Sequence, residues 1–266
     1  MKTTNVEFNP KFLDALKAIT NINSDLVIKE WNNKISIRAQ SKGKEIIIDI
    51  KAPLSGFNYK DGMIGIKDFN KLYKVYSVVE NPTIAVKTSD EDNKETKVKS
   101  IIVDGTNTKI EYTTHDVRKL GMSPKDELPP FAEEDTVEFD VDEDTLKNIK
   151  QLTSVLIEDS AEKGTRLDVF KSKGGSEVKF RFKGLTANGN SFDKTFESTG
   201  TDKEIGINFD PLFFSWMPNG DYKIRVVDGP AKFIMAQTTV KDEDGSEICT
   251  YSFIAGKLNS AFQKPE

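Results

Sequence analysis

Two stretches of the chain, MIGIKDFNKLY at residues 63–73 and EIGINFDPLFF at 204–214, share an Ile-Gly-Ile that closes a short β-like run and opens into a helical pattern. The echo is wider than the tripeptide. VEFN (6–9) precedes an amphipathic segment that starts at Pro10, and VEFD (137–140) precedes another that starts near Asp142. Val6 and Ile64 are 58 residues apart, Val137 and Ile205 are 68 apart. After each Ile-Gly-Ile and its helical segment comes a β-rich run, TIAV (83–86) in the first half and KIRV (223–226) in the second. Three landmarks in one order, written twice, identify an internal duplication. Its plan is strand, helix, several strands, strand, helix, several strands. Each copy must then bury a core of its own, which limits the fold more than any single motif does.

Between the landmarks the pattern is β-rich. DLVIKE (25–30), KISIRA (34–39) and KEIIIDIKA (44–52) are separated by short turn-forming segments; RLDVFKS (166–172), EVKFRFK (177–183) and NSFDKTFES (190–198) follow in the second half. Alternation sets Ile35 and Ile37 against Ser36 and Arg38, and Val178, Phe180 and Phe182 against Lys179, Arg181 and Lys183. The expectation is sheets with one buried face. The stretch DVRKLGMSPKDELPPFAEED (116–135) has three prolines, many charges and no period, and reads as an exposed connector. The division that follows is a first domain over 1–116, a connector over 117–134 and a second domain over 135–266.

With 266 residues, 36% hydrophobic and 30% charged, the chain reads as soluble and globular. No apolar run approaches the ~20 residues of a membrane span. MKTTNVEFNP has no apolar stretch behind its lysine and does not read as a secretory signal. Cys249 is the only cysteine, which excludes an intramolecular disulfide and fits a reducing cytoplasm. A net charge of −5 excludes a uniformly basic DNA-coating protein, but it allows nucleic acid as a partner if charge is segregated over the surface.

The helical segments bear on that segregation. From Lys67 to Val79 a helical wheel gathers Phe69, Leu72, Tyr73, Tyr76 and Val79 on one arc and Lys67, Lys71 and Lys74 opposite, with Asp68 at the N-terminus. From Asp142 to Leu156, Leu146, Ile149, Leu152 and Leu156 form the apolar face. Lys147, Lys150, Gln151 and Ser154 face away, diluted by Asp142, Glu143 and Asp144 in the first turn. The first helix, capped by Asn9 with Pro10 behind it, buries Phe12, Leu16 and Ile19 and turns Lys11, Asp14, Lys17 and Asn21 outward. One lysine face is ordinary solvated surface; three, at matching places in an acidic chain, form a pattern. These faces carry no aromatic residues, so stacking on bases is not suggested, and flexible point charges suit the sequence-blind phosphate field of duplex DNA.

Two such domains joined by a proline-bearing connector resemble a DNA sliding clamp, in particular the tailed-bacteriophage type related to proliferating cell nuclear antigen. FLDALKAITNINSDLVIKE (12–30) resembles the clamp's opening helix, turn and strand; IGIKDFNKLYKVYSVVENPTIAV (64–86) the strand, helix and strand that close its first domain; MPNGDYKIRVVDGPAKF (217–233) the late hairpin of its second. The resemblance implies an α+β fold of two duplicated clamp domains, antiparallel sheets outside and two helices per domain inside, closing as a head-to-tail homotrimer around double-stranded DNA. It implies a DNA polymerase and a clamp loader as partners, a cytoplasmic location and no cofactor. It puts Lys11, Lys17, Lys67, Lys71, Lys74, Lys147 and Lys150 toward DNA. It pairs NTKIEYTT (107–114), with Ile110 and Tyr112, with NSFDKTFES of the next chain, with Phe192 and Phe196. It places partner tails in an apolar pocket formed by Leu128, Pro129, Pro130 and Phe131 with Phe253 and Ala255. The segment NFDPLFFSWMP (208–218), with no lysine or arginine, departs from the lysine-faced pattern.

Catalytic constellations are missing from the sequence. His115 is the only histidine, and its neighbour Asp116 reads as a loop-end cap. One cysteine offers no thiolate metal site. KDEDGSE (241–247) and TSDEDNKE (88–95) lack a full calcium-loop ligand set and read as charged hairpin tips. Gly43-Lys44 and Gly256-Lys257 lack the glycine a phosphate loop needs five positions earlier, where Arg38 and Tyr251 stand. The expectation is a non-enzymatic DNA processivity factor, with a β-rich virion or scaffold protein as the competing reading.

Overall fold

The computed structural model describes residues 2–41, 46–90, 96–120, 131–158, 165–183 and 191–258. Its contacts divide the chain into two compact units. The first takes Met1–Lys42, Ile48–Leu128 and Thr239–Tyr251, and the second takes Gly43–Ile47, Pro129–Thr238 and Ser252–Glu266.

In the first copy of the plan, β1 (Lys2–Val6) leads to α1 (Pro10–Ala18), then β2 (Leu26–Trp31), β3 (Lys34–Gln40), β4 (Ile46–Pro53) and β5 (Ile64–Ile66). Next come α2 (Phe69–Val78), β6 (Thr83–Asp90), β7 (Thr96–Asp104) and β8 (Lys109–Thr113). The second copy begins with β9 (Thr136–Val141), α3 (Glu143–Glu158), β10 (Arg166–Lys171), β11 (Glu177–Lys183) and β12 (Ser191–Glu197). It finishes with β13 (Thr199–Gly200), β14 (Ile205–Phe209), α4 (Leu212–Ser215), β15 (Tyr222–Asp228), β16 (Lys232–Lys241) and β17 (Glu247–Gly256).

The duplication holds at the level of strand pairing. Strand order β4-β3-β2-β5 in the first copy matches β12-β11-β10-β14 in the second, and β1-β6-β7-β8 matches β9-β15-β16-β17. Leu26 faces Ile66 and Ile28 faces Ile64, as Val169 faces Ile207 and Lys171 faces Ile205. The repeated Ile-Gly-Ile is thus the strand that closes the β2 and β10 edges. In the first copy its glycine has a steric reason. The chain leaving β8 turns back so that His115 donates its N–H to the Gly65 carbonyl at 2.9 Å, and a Cβ on Gly65 would lie 2.3 Å from the His115 carbonyl oxygen. The second copy makes a related contact, Leu258 N–H to Asn208 O at 3.0 Å.

Each unit has its own core. In the first, Phe12, Leu16, Ile19, Leu26, Ile35 and Phe69 are excluded from solvent. In the second, an aromatic cluster dominates: Phe180 packs on Phe139 at 5.1 Å, Phe196 at 5.4 Å and Phe214 at 6.0 Å between ring centroids. Aromatic burial of this kind is a large share of what holds a domain of this size together.

Several local expectations change. The first strand lies upstream of VEFN, which contributes only Val6 to β1 and a single bridge from Phe8 to Phe57. β11 alternates as expected, with Val178, Phe180 and Phe182 buried and its cations half-exposed. β3 does not: Ser36 and Arg38 are buried as deeply as Ile35 and Ile37. Each has a partner across the sheet, Arg38 Nε donating to Asp49 Oδ1 at 3.1 Å and Lys51 Nζ to Ser36 Oγ at 2.7 Å, while Arg38 Nη2 is held beside the carboxylate by charge alone. On α3 the buried face runs through Leu146, Ile149 and Thr153, while Leu152 and Val155 are exposed. α4 is a single turn that buries Phe213 and Phe214.

Candidate nucleic-acid interface

In the first unit α1 and α2 meet along a polar seam. Asn9 caps α1, its Oδ1 accepting from Lys11 N–H at 2.9 Å, and Pro10 occupies the first turn, where a missing N–H costs nothing. The start of α2 is pinned from outside: Phe69 N–H donates to Ser24 O at 2.7 Å and Asp68 N–H to Asp25 Oδ1 at 2.9 Å. Across the seam, Tyr73 Oη donates to Asp14 Oδ1 and Thr20 Oγ1 to Asn70 Oδ1 at 3.1 Å. Lys17 Nζ also donates to Asn70 Oδ1.

That last contact brings Lys17 to the row of cations on α2, because Asn70 is adjacent to Lys71 and one turn before Lys74. Lys17, Lys67, Lys71 and Lys74 are all exposed. Lys71 approaches Asp68 at 3.6 Å, with three-quarters of its side chain in solvent. Lys67 and Lys74 have no ion-pair partner among the described residues. Lys17, Lys71 and Lys74 are thus exposed cations on the α1–α2 pair, with Lys67 just ahead of α2, a set suited in charge to a phosphate backbone.

The other three lysines have different surroundings. Lys11 Nζ donates to Asp242 and lies 3.3 Å from Glu243 Oε1, both in the turn between β16 and β17 and in the same unit. The hydrogen bond to Asp242 holds its pKa above the usual lysine value. Lys147 pairs along its own helix with Glu143 at 2.8 Å and Asp144 at 3.6 Å. Lys150 is turned inward: its Nζ donates to Met217 O at 2.6 Å and Asn219 Oδ1 at 2.8 Å, just past α4. Burial pushes the Lys150 pKa down. Its role in the fold is to tie α3 to the end of α4, a contact to a carbonyl 67 residues away that no helical wheel could indicate.

The strands expected at a subunit boundary both lie at sheet edges. β8 pairs only with β7, and β12 only with β11. The bond from Thr114 N–H to Lys99 O at 2.9 Å fixes which β8 residues bond inward, and alternation leaves the backbone groups of Lys109, Glu111 and Thr113 facing out. By the same count from Ser198 N–H to Ser176 O at 2.8 Å, Ser191, Asp193, Thr195 and Glu197 present the outer backbone of β12. The side chains named for this boundary pack within the chain. Phe192 stacks on Phe182 at 4.2 Å, Phe196 on Phe139 at 4.8 Å, and Tyr112 Oη donates to the Lys67 carbonyl at the entry to α2. Ile110 is half-buried.

Of the residues expected to receive partner tails, Leu128, Pro129 and Pro130 lie outside the described residues. Phe253 and Ala255 are buried on β17, Phe253 against Tyr222 at 6.0 Å. Phe131 is more than one-third exposed, rests edge-on against Phe233 at 6.2 Å and has the Arg225 guanidinium 5.9 Å from its ring centre. His115 and Asp116 keep the expected capping arrangement: Asp116 Oδ1 accepts from Arg118 N–H at 3.0 Å, opening the short helical turn 117–119. The turn 241–247 is a charged hairpin tip, closed by Asp242 N–H to Ser246 O at 2.8 Å. Of TSDEDNKE, residues 91–95 lie outside the described residues. Among the described residues, no helix is long and apolar enough to cross a membrane.

Solved structures share this architecture along their whole length. PCNA from Thermococcus kodakaraensis superposes with a TM-score of 0.65 at 13% identity, over 97% of this chain and 100% of its own. The chain has the PCNA fold. Proliferating Cellular Nuclear Antigen from Entamoeba histolytica gives 0.62 at 10% identity, covering 96% of this chain and 98% of its own. A. fulgidus PCNA, solved with the C-terminal region of FEN-1 bound, gives 0.62 at 12% over 98% and 100%. No protein-family model and no curated protein matches the chain in sequence. The PCNA fold here is therefore preserved in pairing and order while most residue identities have changed, as the twofold pattern β4-β3-β2-β5 and β12-β11-β10-β14 already showed within the chain itself.

Proposed function

We propose that this protein is a DNA sliding clamp: a non-enzymatic processivity factor that closes as a head-to-tail homotrimer around duplex DNA and tethers a DNA polymerase. The observation that carries the proposal is the match of the whole chain, not a part of it, to PCNA chains along their full length. In this reading the duplicated domains are residues 1–116 and 135–266, joined by 117–134. The outward backbone of β8 pairs with that of β12 in the next copy, hiding two edges that would otherwise template aggregation. DNA is held by Lys17, Lys67, Lys71 and Lys74, with Lys147 contributing after exchange of its weak surface pairing. Partner tails and an ATP-driven loader dock near Phe131, in a cytoplasmic setting that for a bacteriophage protein is the host's.

Two measurements test this. Sedimentation velocity at micromolar concentration is expected to show a trimer; a monomer alone overturns the ring. On a singly primed circular template, with polymerase and loader present, the protein is expected to lengthen the tract synthesised per binding event. Charge reversal by Lys67→Glu and Lys74→Glu together is expected to remove that gain while the trimer persists.

A further inference from the structure

The turn between β16 and β17 carries Asp242, Glu243 and Asp244, with Glu247 just behind. Two of these carboxylates converge on a single cation, Lys11 of α1, which belongs to the row of outward-facing lysines on that helix. The turn is built to hold them there. Asp242 Oδ1 accepts from Glu243 N–H at 2.6 Å, Asp244 Oδ1 from Ser246 N–H at 2.9 Å, and Gly245 takes the left-handed backbone (φ 85°) that the reversal requires. β17 is fastened to the same helix by Tyr251 Oη, which donates to Ala15 O at 2.8 Å in a buried contact. Lys11 is thus half-exposed but paired with two carboxylates, whose negative charge competes with that of a phosphate, while Lys17, two turns on, is exposed and beside the α2 lysines.

We infer that the acidic turn Asp242–Asp244 is an internal stand-in for phosphate that occupies Lys11 and confines duplex contact in this unit to the Lys17, Lys67, Lys71 and Lys74 surface. The inference rests on the DNA-encircling reading and adds a control to it. A clamp that slides needs weak, replaceable contacts, and each phosphate neutralised deepens the salt-dependent grip. Holding one cation out of reach shallows the grip at the α1 N-terminus. It also makes the local field there acidic, which turns the duplex away from that end of the helix.

The test measures anisotropy of a labelled duplex against the full chain over a salt series. Asp242→Asn with Glu243→Gln releases Lys11 while keeping the oxygen that accepts the Glu243 N–H. Binding is expected to tighten and the log–log salt slope to steepen by about 0.9, or ~3.5-fold over a fourfold salt change, for one added phosphate contact. Asp244→Asn with Glu247→Gln removes the same charge from the same hairpin but no group bonded to Lys11, leaving only the longer-range attraction of Asp244 to lose, and is expected to change the slope by less than half as much. Adding Lys11→Ala to the first variant is expected to restore the original slope. An unchanged slope in the first variant overturns the inference, as does an equal change in the control pair or a gain that survives Lys11→Ala. If Lys67→Glu with Lys74→Glu leaves binding intact, the DNA reading itself fails, a separate result.

Discussion

Each copy carries an Arg–Asp pair between neighbouring strands of its sheet, offset by two residues because Lys179 and not Arg181 stands in register where Arg38 does, and the two copies bury it differently. In the first, Arg38 on β3 meets Asp49 on β4, with Lys51 3.6 Å from the second carboxylate oxygen; the Arg38 and Asp49 side chains are 5% and 2% exposed. In the second, Arg181 on β11 meets Asp193 on β12, with Lys179 at 2.7 Å; Arg181 and Asp193 are 26% and 32% exposed. Arg38 makes one aligned bond, from Nε at 3.1 Å, while its Nη2 sits at the same distance but off hydrogen-bonding geometry. Arg181 makes two aligned bonds, from Nε at 2.9 Å and Nη2 at 3.0 Å. The consequence is an inversion of the two acids. Burial raises Asp49 above the usual aspartate value despite its cations, whereas the Arg181 hydrogen bonds lower Asp193 to about 2.

Asparagine at each position keeps the shape and removes the charge. Asp49→Asn leaves Arg38 buried with no counter-charge beyond a neutral amide. Breaking a buried pair from one side costs about 3–5 kcal/mol, but the raised Asp49 pKa means that the fold already favours a neutral group at this position, which with the retained Nε bond brings the expected cost down to about 1–2 kcal/mol. Asp193→Asn exposes two solvated cations to each other and is expected to cost under about 1 kcal/mol. In urea denaturation with a slope of about 3 kcal/mol/M, the first variant loses about 0.3–0.7 M of midpoint and the second less, about 0.3 M or under. The pH dependence separates them again. Asp193 contributes stability that is complete above the ordinary aspartate pKa and lost as pH falls toward 2, so its variant flattens the acid limb. Asp49 binds its proton more tightly folded than unfolded, so stability falls as pH rises from the ordinary value through the raised one, and its variant removes that fall. Equal midpoint losses in the two variants, or a neutral Asp49→Asn, would refute the reasoning.

Other perturbations have equally definite expectations. Gly65→Ala drives a Cβ to within 2.3 Å of the His115 carbonyl and is expected to destabilise the fold by about 3 kcal/mol or more, read as a sharp fall in melting temperature, while Gly256→Ala, with nothing within 4 Å of the new atom, leaves it unchanged. Lys150→Met removes the two bonds to Met217 O and Asn219 and is expected to destabilise by about 1–3 kcal/mol in thermal or chemical denaturation; Lys147→Met, which loses only surface pairs, is expected to cost under about 0.5 kcal/mol.

The architecture was legible in the sequence because the duplicated landmarks are backbone features. Ile-Gly-Ile, the Asn9-Pro10 cap and the alternation of β11 depend on local geometry and on which face meets a core, and local pattern encodes both. The failures share a different cause. β3 and β11 have the same alternation, yet Arg38 is buried and Arg181 is half-exposed, a difference that alternation alone does not carry. Leu152 and Thr153 exchange places on α3 because the buried face is set by what packs on it, not by hydrophobicity alone. Lys11 is claimed by a carboxylate 231 residues away, Lys150 by a carbonyl 67 residues away.

These differences bear on function because they fall unequally on the two copies. Strand pairing was duplicated and kept, whereas the helix-face charges were not. On α1 and α2, Lys17, Lys67 and Lys74 have no carboxylate bound to them and Lys71 only a distant one. On α3 one lysine is engaged by its own first turn and the other, half-buried, is bonded to Met217 O and Asn219 Oδ1, and α4 has none. A phosphate approaching α2 displaces water and counterions; one approaching α3 must also displace a carboxylate 2.8 Å from Lys147, or compete with the carbonyl and amide oxygens that hold Lys150. Electrostatic work of that kind is small for each pair but does not average away, because the two copies are covalently fixed in alternation. In the DNA-encircling reading we propose, the lysines of the first copy therefore carry more of the grip than those of the second.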